Sequence, residues 1–317
     1  MAEALFTLPQ LITINDRNLA DVEVPNFLNN SPFMRTNAAT LASHDTLHKW
    51  LRYANPTVGF RQPNNGREVQ VSVDTMVQTD CQIIDGSFRT DLALVREYNK
   101  GGQAGWLNRE LARHLDAMMF RLEQQVFQGS GLSVAPALGF DGFPDETTLK
   151  TIAGGMVVSA GGSTASSQSS AYLVRSGAQD VEIIMGRSGD IYVGDPTVQE
   201  AAGIDQGDGA LGTFPAIYTP VTGWFALKIG STVSSVVRIA NIENSFTDDM
   251  IFEGIAKFGT GRGPTHLYAG RKSLELLRSS RTATNSSGDP AGMPGTVGGV
   301  TIVPTDGINE GGEAVVV

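Results

Sequence analysis

Cysteine is almost missing from this 317-residue chain, where Cys81 stands alone. A single thiol excludes an intrachain disulfide and any zinc site built on cysteine, and it suits a protein made and kept in a reducing compartment. Positive charge is scarce too. Lys and Arg total 23 against 33 Asp and Glu, for a formal net charge of −10. That balance argues against a general binder of nucleic acid or anionic membrane, both of which need a positive surface. It still permits a surface that faces nucleic acid without gripping it. No apolar run approaches the roughly 18 residues of a membrane span. The opening MAEALFTLPQLITINDRN places Glu3 where a secretory leader wants positive charge, and Pro9 breaks its apolar stretch. The expectation is a soluble, unexported chain, long enough for one large or two ordinary domains.

What the chain does have is one long helical pattern, GWLNRELARHLDAMMFRLEQQVFQG at residues 105–129. Apolar residues recur at Leu107, Leu111, Leu115, Met118, Met119, Leu122 and Val126, the spacing of one helix face. Gly101, Gly102 and Gly105 precede it, and Gly129 and Gly131 follow as a stop. At 1.5 Å per residue the pattern predicts a strut about 35 Å long. Strand patterns and glycine-rich loops surround it.

Residues 1 to about 43 are polar and extended, with Pro9, Pro25 and Pro32. Such an arm has little apolar surface to fold upon itself and is expected to lie on something else. TLHKWLRYA (46–54) and REVQVSVDTMV (67–77) read as strands. In the second, Val69, Val71 and Val73 alternate with Gln70, Ser72 and Asp74, a half-buried period of two. The linker NPTVGFRQPNNG carries two prolines and an Asn-Asn-Gly turn, which predicts a long antiparallel ribbon with a polar tip. Beyond the helix, strands are expected at 170–175, 180–186, 190–195, 223–230 and 234–242, with GRSGD as a hairpin turn between the second and third. SFTDDMIFEGIAKFG predicts a helix with Ser245 and Asp248 as a capping box and Gly259 as its stop. Strand THLYAG (265–270), helix RKSLELLRSSR (271–281) and strand GVTIVPT (299–305) complete a small α/β unit. Segments 153–170, 196–222 and 282–298 read as surface loops.

Catalytic candidates are few, and each has a plainer reading. His44 and His48 sit four apart, as zinc ligands on a helix would, but Trp50 and Tyr53 point to a strand, where that spacing reaches too far. Glu110 and His114 read as a local i, i+4 pair. FGTGRG supplies Gly259, Gly261 and Gly263, yet it follows a helix and precedes a strand, the reverse of a dinucleotide site. GGSTA at 161–165 misses the nucleophile-elbow pattern. Asp205 and Asp208 lack the rest of a calcium loop, and the NSS sequon at 285–287 has no secretory context. No catalytic, cofactor-binding or metal site is expected, and the chain reads as non-enzymatic.

The order of parts — extended arm, long ribbon, one long helix, strands, small α/β unit — resembles the major capsid protein of tailed bacteriophages, with its Hong Kong 97-type coat fold. The likeness rests on LPQLITINDRNLADVEVPNFLNNSPFMRTNAAT in the arm, then FQGSG and GFDGFPDE after the helix, AYLVRSG, VVRIANIEN and RGPTHLYAGRKSLELL. It ends in GGVTIVPTDGINEGGEAVVV, so that it spans nearly the whole chain. The resemblance implies an α+β fold with an amino-terminal arm (1–43) and an extended β-ribbon loop (44–80). A peripheral domain with the spine helix follows (81–244, with 299–317 as a returning strand), and then an axial domain (245–298). In the best-known members the strand-rich stretch follows the axial domain. Here 170–242 precedes it, which implies a permuted order.

The same resemblance implies a capsid building block that self-assembles, as pentamers and hexamers, into an icosahedral shell around a double-stranded DNA genome. It needs no cofactor. Its partners would be copies of itself, a portal protein and packaged DNA faced without sequence-specific binding, with room for a decoration protein. The lack of a charge-rich amino-terminal scaffolding segment implies a separate scaffolding protein. No membrane is involved, and the place would be the virion capsid, assembled in the host cytoplasm. The rivals are a tail-tube or decoration protein, an encapsulin-like compartment shell, and a hydrolase using loop Asp or His residues.

Overall fold

The computed structural model describes residues 13–14, 17–18, 28, 30–52, 56, 58–66, 71–98, 102–132, 138–202, 213–230, 235–281 and 292–317. The long helix runs Gly102–Gln128, starting three residues before the pattern predicts, from Gly102 at φ +61. Its 27 residues span about 40 Å. Leu115, Met118, Met119, Leu122 and Val126 are all buried, while Leu107 and Leu111 pack half-buried against the same core. Gly86 lies so close that a Cβ there would collide with Met118. The amino-terminal half of the helix meets the strand Phe88–Asp91, where His114 stacks on Phe88 with ring centroids 4.9 Å apart. The far end enters a six-stranded sheet.

That sheet has the order Thr296–Val297, Val300–Pro304, His266–Ala269, Ser169–Val174, Val236–Ile242, Val157–Ser159. Its fourth and fifth strands, Ser169–Val174 and Val236–Ile242, are buried at every residue. Successive side chains alternate between the two faces of a strand, so burial at every residue means that both faces are covered. Tyr172, Val174, Val236 and Tyr268 join the core beneath the spine helix. Leu173, Val237, Ile239 and Leu267 face a second core made with helices Asp248–Ala256 and Arg271–Ser280.

A five-stranded sheet is organised around Val221–Ile229. Val181–Met185 pairs antiparallel with its second half, while Ile191–Val193 and Gln82–Asp85 pair with its first. The predicted GRSGD hairpin therefore does not form. Both flanking strands run along the same partner, and the turn at 186–190 interrupts what is in effect one long strand. Segment 196–222 is not all loop either, and its residues 203–212 lie outside the described residues. Thr197–Ala202 and Thr213–Thr219 pair antiparallel, and the latter pairs with Phe88–Asp91. Segment 153–170 likewise contributes Val157–Ser159, parallel to Val236–Ile242. Of 282–298, residues 296–297 pair with 300–301, while 282–291 lie outside the described residues.

The arm departs most from expectation. Its last part is built into this chain's own core: helix Pro32–Thr36 buries Phe33 and Met34, and Ala38–Leu41 pairs parallel with Val181–Met185. Phe33 lies 5.1–5.7 Å from the rings of Phe127, Phe143 and Tyr268, a cluster of tilted and edge-on contacts. Helix Asp248–Ala256 starts from Thr247 with no side-chain cap, so the Ser245–Asp248 box does not form. Asp248 instead holds Arg281 by two contacts at 2.5 and 2.8 Å. The six-stranded sheet takes strands from both sides of residue 244, so a boundary there cuts through a sheet.

Candidate functional site

None of the chemical candidates is assembled into a site. His48 is buried at the ribbon root, where burial first and Lys228 second push its pKa down to about 4. His44 lies on an exposed turn with the Ser43 hydroxyl 3.0 Å from its Nδ1. Glu110 is taken by Arg113 at 2.8 Å rather than by His114. The glycines at 259, 261 and 263 line an open turn between a helix and a strand. Ser163 belongs to an exposed loop whose backbone N–H donates to Glu243. Asp205, Asp208 and Asn285 lie outside the described residues. Among the described residues no group of three or more His, Cys, Asp or Glu is placed to hold a metal. Nor is any described helix long and apolar enough to cross a membrane.

The ribbon stands out physically. Leu47–Arg52 and Thr75–Asp80 pair antiparallel from Leu47↔Asp80 to Arg52↔Thr75. The second strand begins eight residues later than REVQVSVDTMV predicts. Val69 lies outside the described residues, and Val71 and Val73 are 80% and 74% exposed, with no ladder. The root is firmly tied. Trp50 Nε1 donates to Gly230 O at 3.3 Å, and Arg52 donates to Ile229 O at 3.2 Å and to Glu146 at 3.4 Å. Beneath it Lys228 and Glu182, direct partners in the sheet register, form a buried ion pair at 2.7 Å. Beyond the root every described residue from 56 to 74 is exposed. Val58 and Phe60 point into solvent at 75% and 110% exposure. Such a run of large apolar side chains on one projection, with no partner among the described residues, is the mark of a contact surface.

Two polar clamps hold the body under the ribbon. Glu123, fully buried in the spine helix, accepts from the backbone N–H of Phe33 at 2.9 Å and from the Thr305 hydroxyl. It thereby ties arm, spine and carboxy-terminal segment together. Burial pushes its pKa up to about 7, against the pull of those hydrogen bonds. Sequence reading passed over Glu123, although a carboxylate between Met119 and Val126 on the apolar face is a visible anomaly. The second clamp is Arg238, which meets Glu313 at 2.9 Å and donates to Ser170 Oγ. Asn241 exchanges two hydrogen bonds with the backbone of Val316 at 2.8 and 2.9 Å. The chain end is thus fastened to the strand Val236–Ile242 of the six-stranded sheet.

A family profile described as "Major capsid protein GP7" matches residues 21–287, well over half of the chain. The chain belongs to this capsid protein family. The coat subunit is also similar to a chain of the bacteriophage Epsilon15 particle, with a TM-score of 0.56 at 17% identity, covering 88% of each chain. It is further similar to chains of the bacteriophage JBD30 capsid. One has a TM-score of 0.44 at 11% identity, over 85% of this chain and 88% of that one. In a JBD30 capsid decorated with minor capsid protein trimers the coverage is 94% and 95%, again with a TM-score of 0.44 at 11% identity. No curated protein matches the sequence. The fold is the Hong Kong 97-type capsid fold, and the coat subunit's role is to form a phage capsid shell. The family is one of structural proteins.

Proposed function

We propose that the coat subunit assembles as pentamers and hexamers into an icosahedral shell enclosing double-stranded DNA, and that its ribbon reaches over a neighbouring copy. The observation that carries this reading is the ribbon tip, where Val58, Phe60, Val71 and Val73 are exposed on a projection whose root is rigidly anchored. An apolar projection held out from a stable body is explained by a partner, and in a shell of identical subunits the nearest partner is another copy. On this reading residues 44–80 are the extended loop. The spine helix with the five-stranded sheet forms the peripheral part, and the six-stranded sheet with its two outer helices forms the axial part. The chain's first residues form an arm whose end, from Leu28 onward, is stapled at home.

The acidic balance suits an inner wall that holds packaged DNA by enclosure, since net negative charge repels phosphate. A separate scaffolding protein, a portal protein and assembly in the host cytoplasm belong to the same proposal. Negative-stain microscopy of purified subunit, alone and with a candidate scaffold, tests it. Closed shells bearing five- and six-membered capsomers are expected; tubes or monodisperse small rings under all conditions would overturn it.

A further inference from the structure

Asn65–Gly66, at the ribbon tip, is the one Asn-Gly step in the sequence. The chain reverses just before it. Asn65 N–H donates to Gln62 O at 3.2 Å, with Pro63 and Asn64 between them and Asn64 at φ +67. Proline followed by a residue at positive φ is the pattern of a type II turn. The sequence-predicted turn is therefore centred on Pro63 and Asn64, and Asn65 leaves it in a set position. Arg61 reaches across the turn, its Nη1 donating to the carbonyl oxygen of Asn65 at 3.1 Å. Both Asn65 and Gly66 are exposed, and no atom lies within 4 Å of where a Cβ on Gly66 would sit.

We propose that Asn65 is a site of spontaneous covalent self-modification, with Arg61 as the group that promotes it. The backbone nitrogen of Gly66 attacks Cγ of the Asn65 side chain. The N–Cγ bond forms and the Cγ–Nδ2 bond breaks, and the departing amide nitrogen leaves as ammonia with the proton from Gly66. Water then opens the cyclic imide at either carbonyl, giving aspartate or the β-linked isoaspartate. The net change is asparagine plus water to an acid plus ammonia, with no oxidant or reductant.

Three features favour the step. Reactant and nucleophile are neighbours in one chain, so no encounter is needed. Glycine offers the nitrogen without a side chain to crowd it. Most specifically, the carbonyl that Arg61 holds belongs to the peptide whose nitrogen must lose its proton. Amide resonance spreads the developing negative charge onto that oxygen, beside a guanidinium that stays charged at every working pH. Asn30, Asn244 and Asn285 each precede serine, not glycine, and serve as internal comparators. The product places a new carboxylate, and in the isoaspartate an extra backbone carbon, at the tip of the ribbon.

The test is peptide mass spectrometry of purified subunit held at mildly alkaline pH, with an enzymatic assay for isoaspartate. The Asn65 peptide should turn acidic at least several-fold faster than the three comparators. Gly66→Ala should slow it strongly and Arg61→Gln several-fold, with circular dichroism unchanged because the described residues of the tip are all exposed. Equal rates at all four asparagines would overturn the site, and an unchanged rate in Arg61→Gln would overturn the role of Arg61. A third arm compares free subunits with shells, resting on the ribbon-over-neighbour reading. Protection of Asn65 in shells supports both ideas, whereas fast reaction in both forms leaves the modification standing and removes the neighbour contact.

Discussion

The carboxylate of Glu123 is the residue in which this coat subunit holds three distant segments at one point. Its partners are Phe33, on the buried end of the arm, and Thr305, near the carboxy terminus. Gly307 keeps the site tight, since a Cβ there would come within 2.8 Å of Glu123 Cγ. With a folded pKa of about 7 against an ordinary 4.5, the folded state holds this proton more strongly than the unfolded chain. Its stabilising contribution is therefore fully present below the unfolded value and is lost as pH rises through the folded one. A raised pKa of this size corresponds to roughly 3 kcal/mol of stability lost between about pH 4.5 and pH 8. Denaturant midpoints measured across that range should fall in the wild type and fall less in Glu123→Gln; parallel curves would show that Glu123 does not titrate in this window. Leu115, on the same helix and only 4% exposed, tests packing alone. Leu115→Ala should cost about 2–5 kcal/mol, visible as a lower denaturation midpoint or insoluble subunit. An unchanged midpoint would mean that this helix face is not a packed core.

Among elements, the spine helix and the ribbon are opposites. The helix is legible because a 3.6-residue period needs only one buried face, and both sheets supply it. The ribbon's pairing is legible from its strands, yet its tip has no period that relates to this chain, because nothing among the described residues packs on it. That difference gives a clean experiment. Replacing residues 57–64 with a short glycine-containing turn should leave the subunit's circular dichroism and melting unchanged, while abolishing shells on microscopy. Normal shells from the replacement would remove the tip from the assembly contacts. The arm's helix, Pro32–Thr36, was hidden for the reverse reason. Phe33 and Met34 are two apolar residues in a polar stretch, too few to show a period, and their burial depends on Phe127, Phe143 and Tyr268 far along the chain.

At the scale of the whole molecule, the coat subunit lays its long helix across two sheets in one large shared core, with a second core under the two outer helices. Its net charge of −10 works against bringing copies together. Charge repulsion reaches about 30 Å at 0.01 M salt but only about 8 Å at 0.15 M and 3 Å at 1 M, whereas apolar contacts such as those from Val58 and Phe60 are not screened. Assembly, followed by light scattering, should thus become faster and more complete as sodium chloride rises from low to moderate concentration. A steady loss of assembly with added salt would show that ion pairs between subunits outweigh the net repulsion.

What the sequence by itself determined were properties that neighbours along the chain decide. These are the helix at 102–128 to within three residues, the centres of the strands predicted beyond it, the two outer helices, the acidic balance and the order of parts that resembles a phage coat protein. What only the tertiary structure decided were choices between partners far apart in sequence. The strands hidden in 196–222 exist because Thr213–Thr219 finds Phe88–Asp91, and the GRSGD hairpin gives way because Val221–Ile229 outbids it for both flanking strands. The end of the arm is core rather than strap because a parallel edge at Val181–Met185 and an aromatic pocket were waiting for it. A hydrogen-bond ladder or a buried ring gains its free energy from whichever partner completes it. No local pattern records which distant segment that will be.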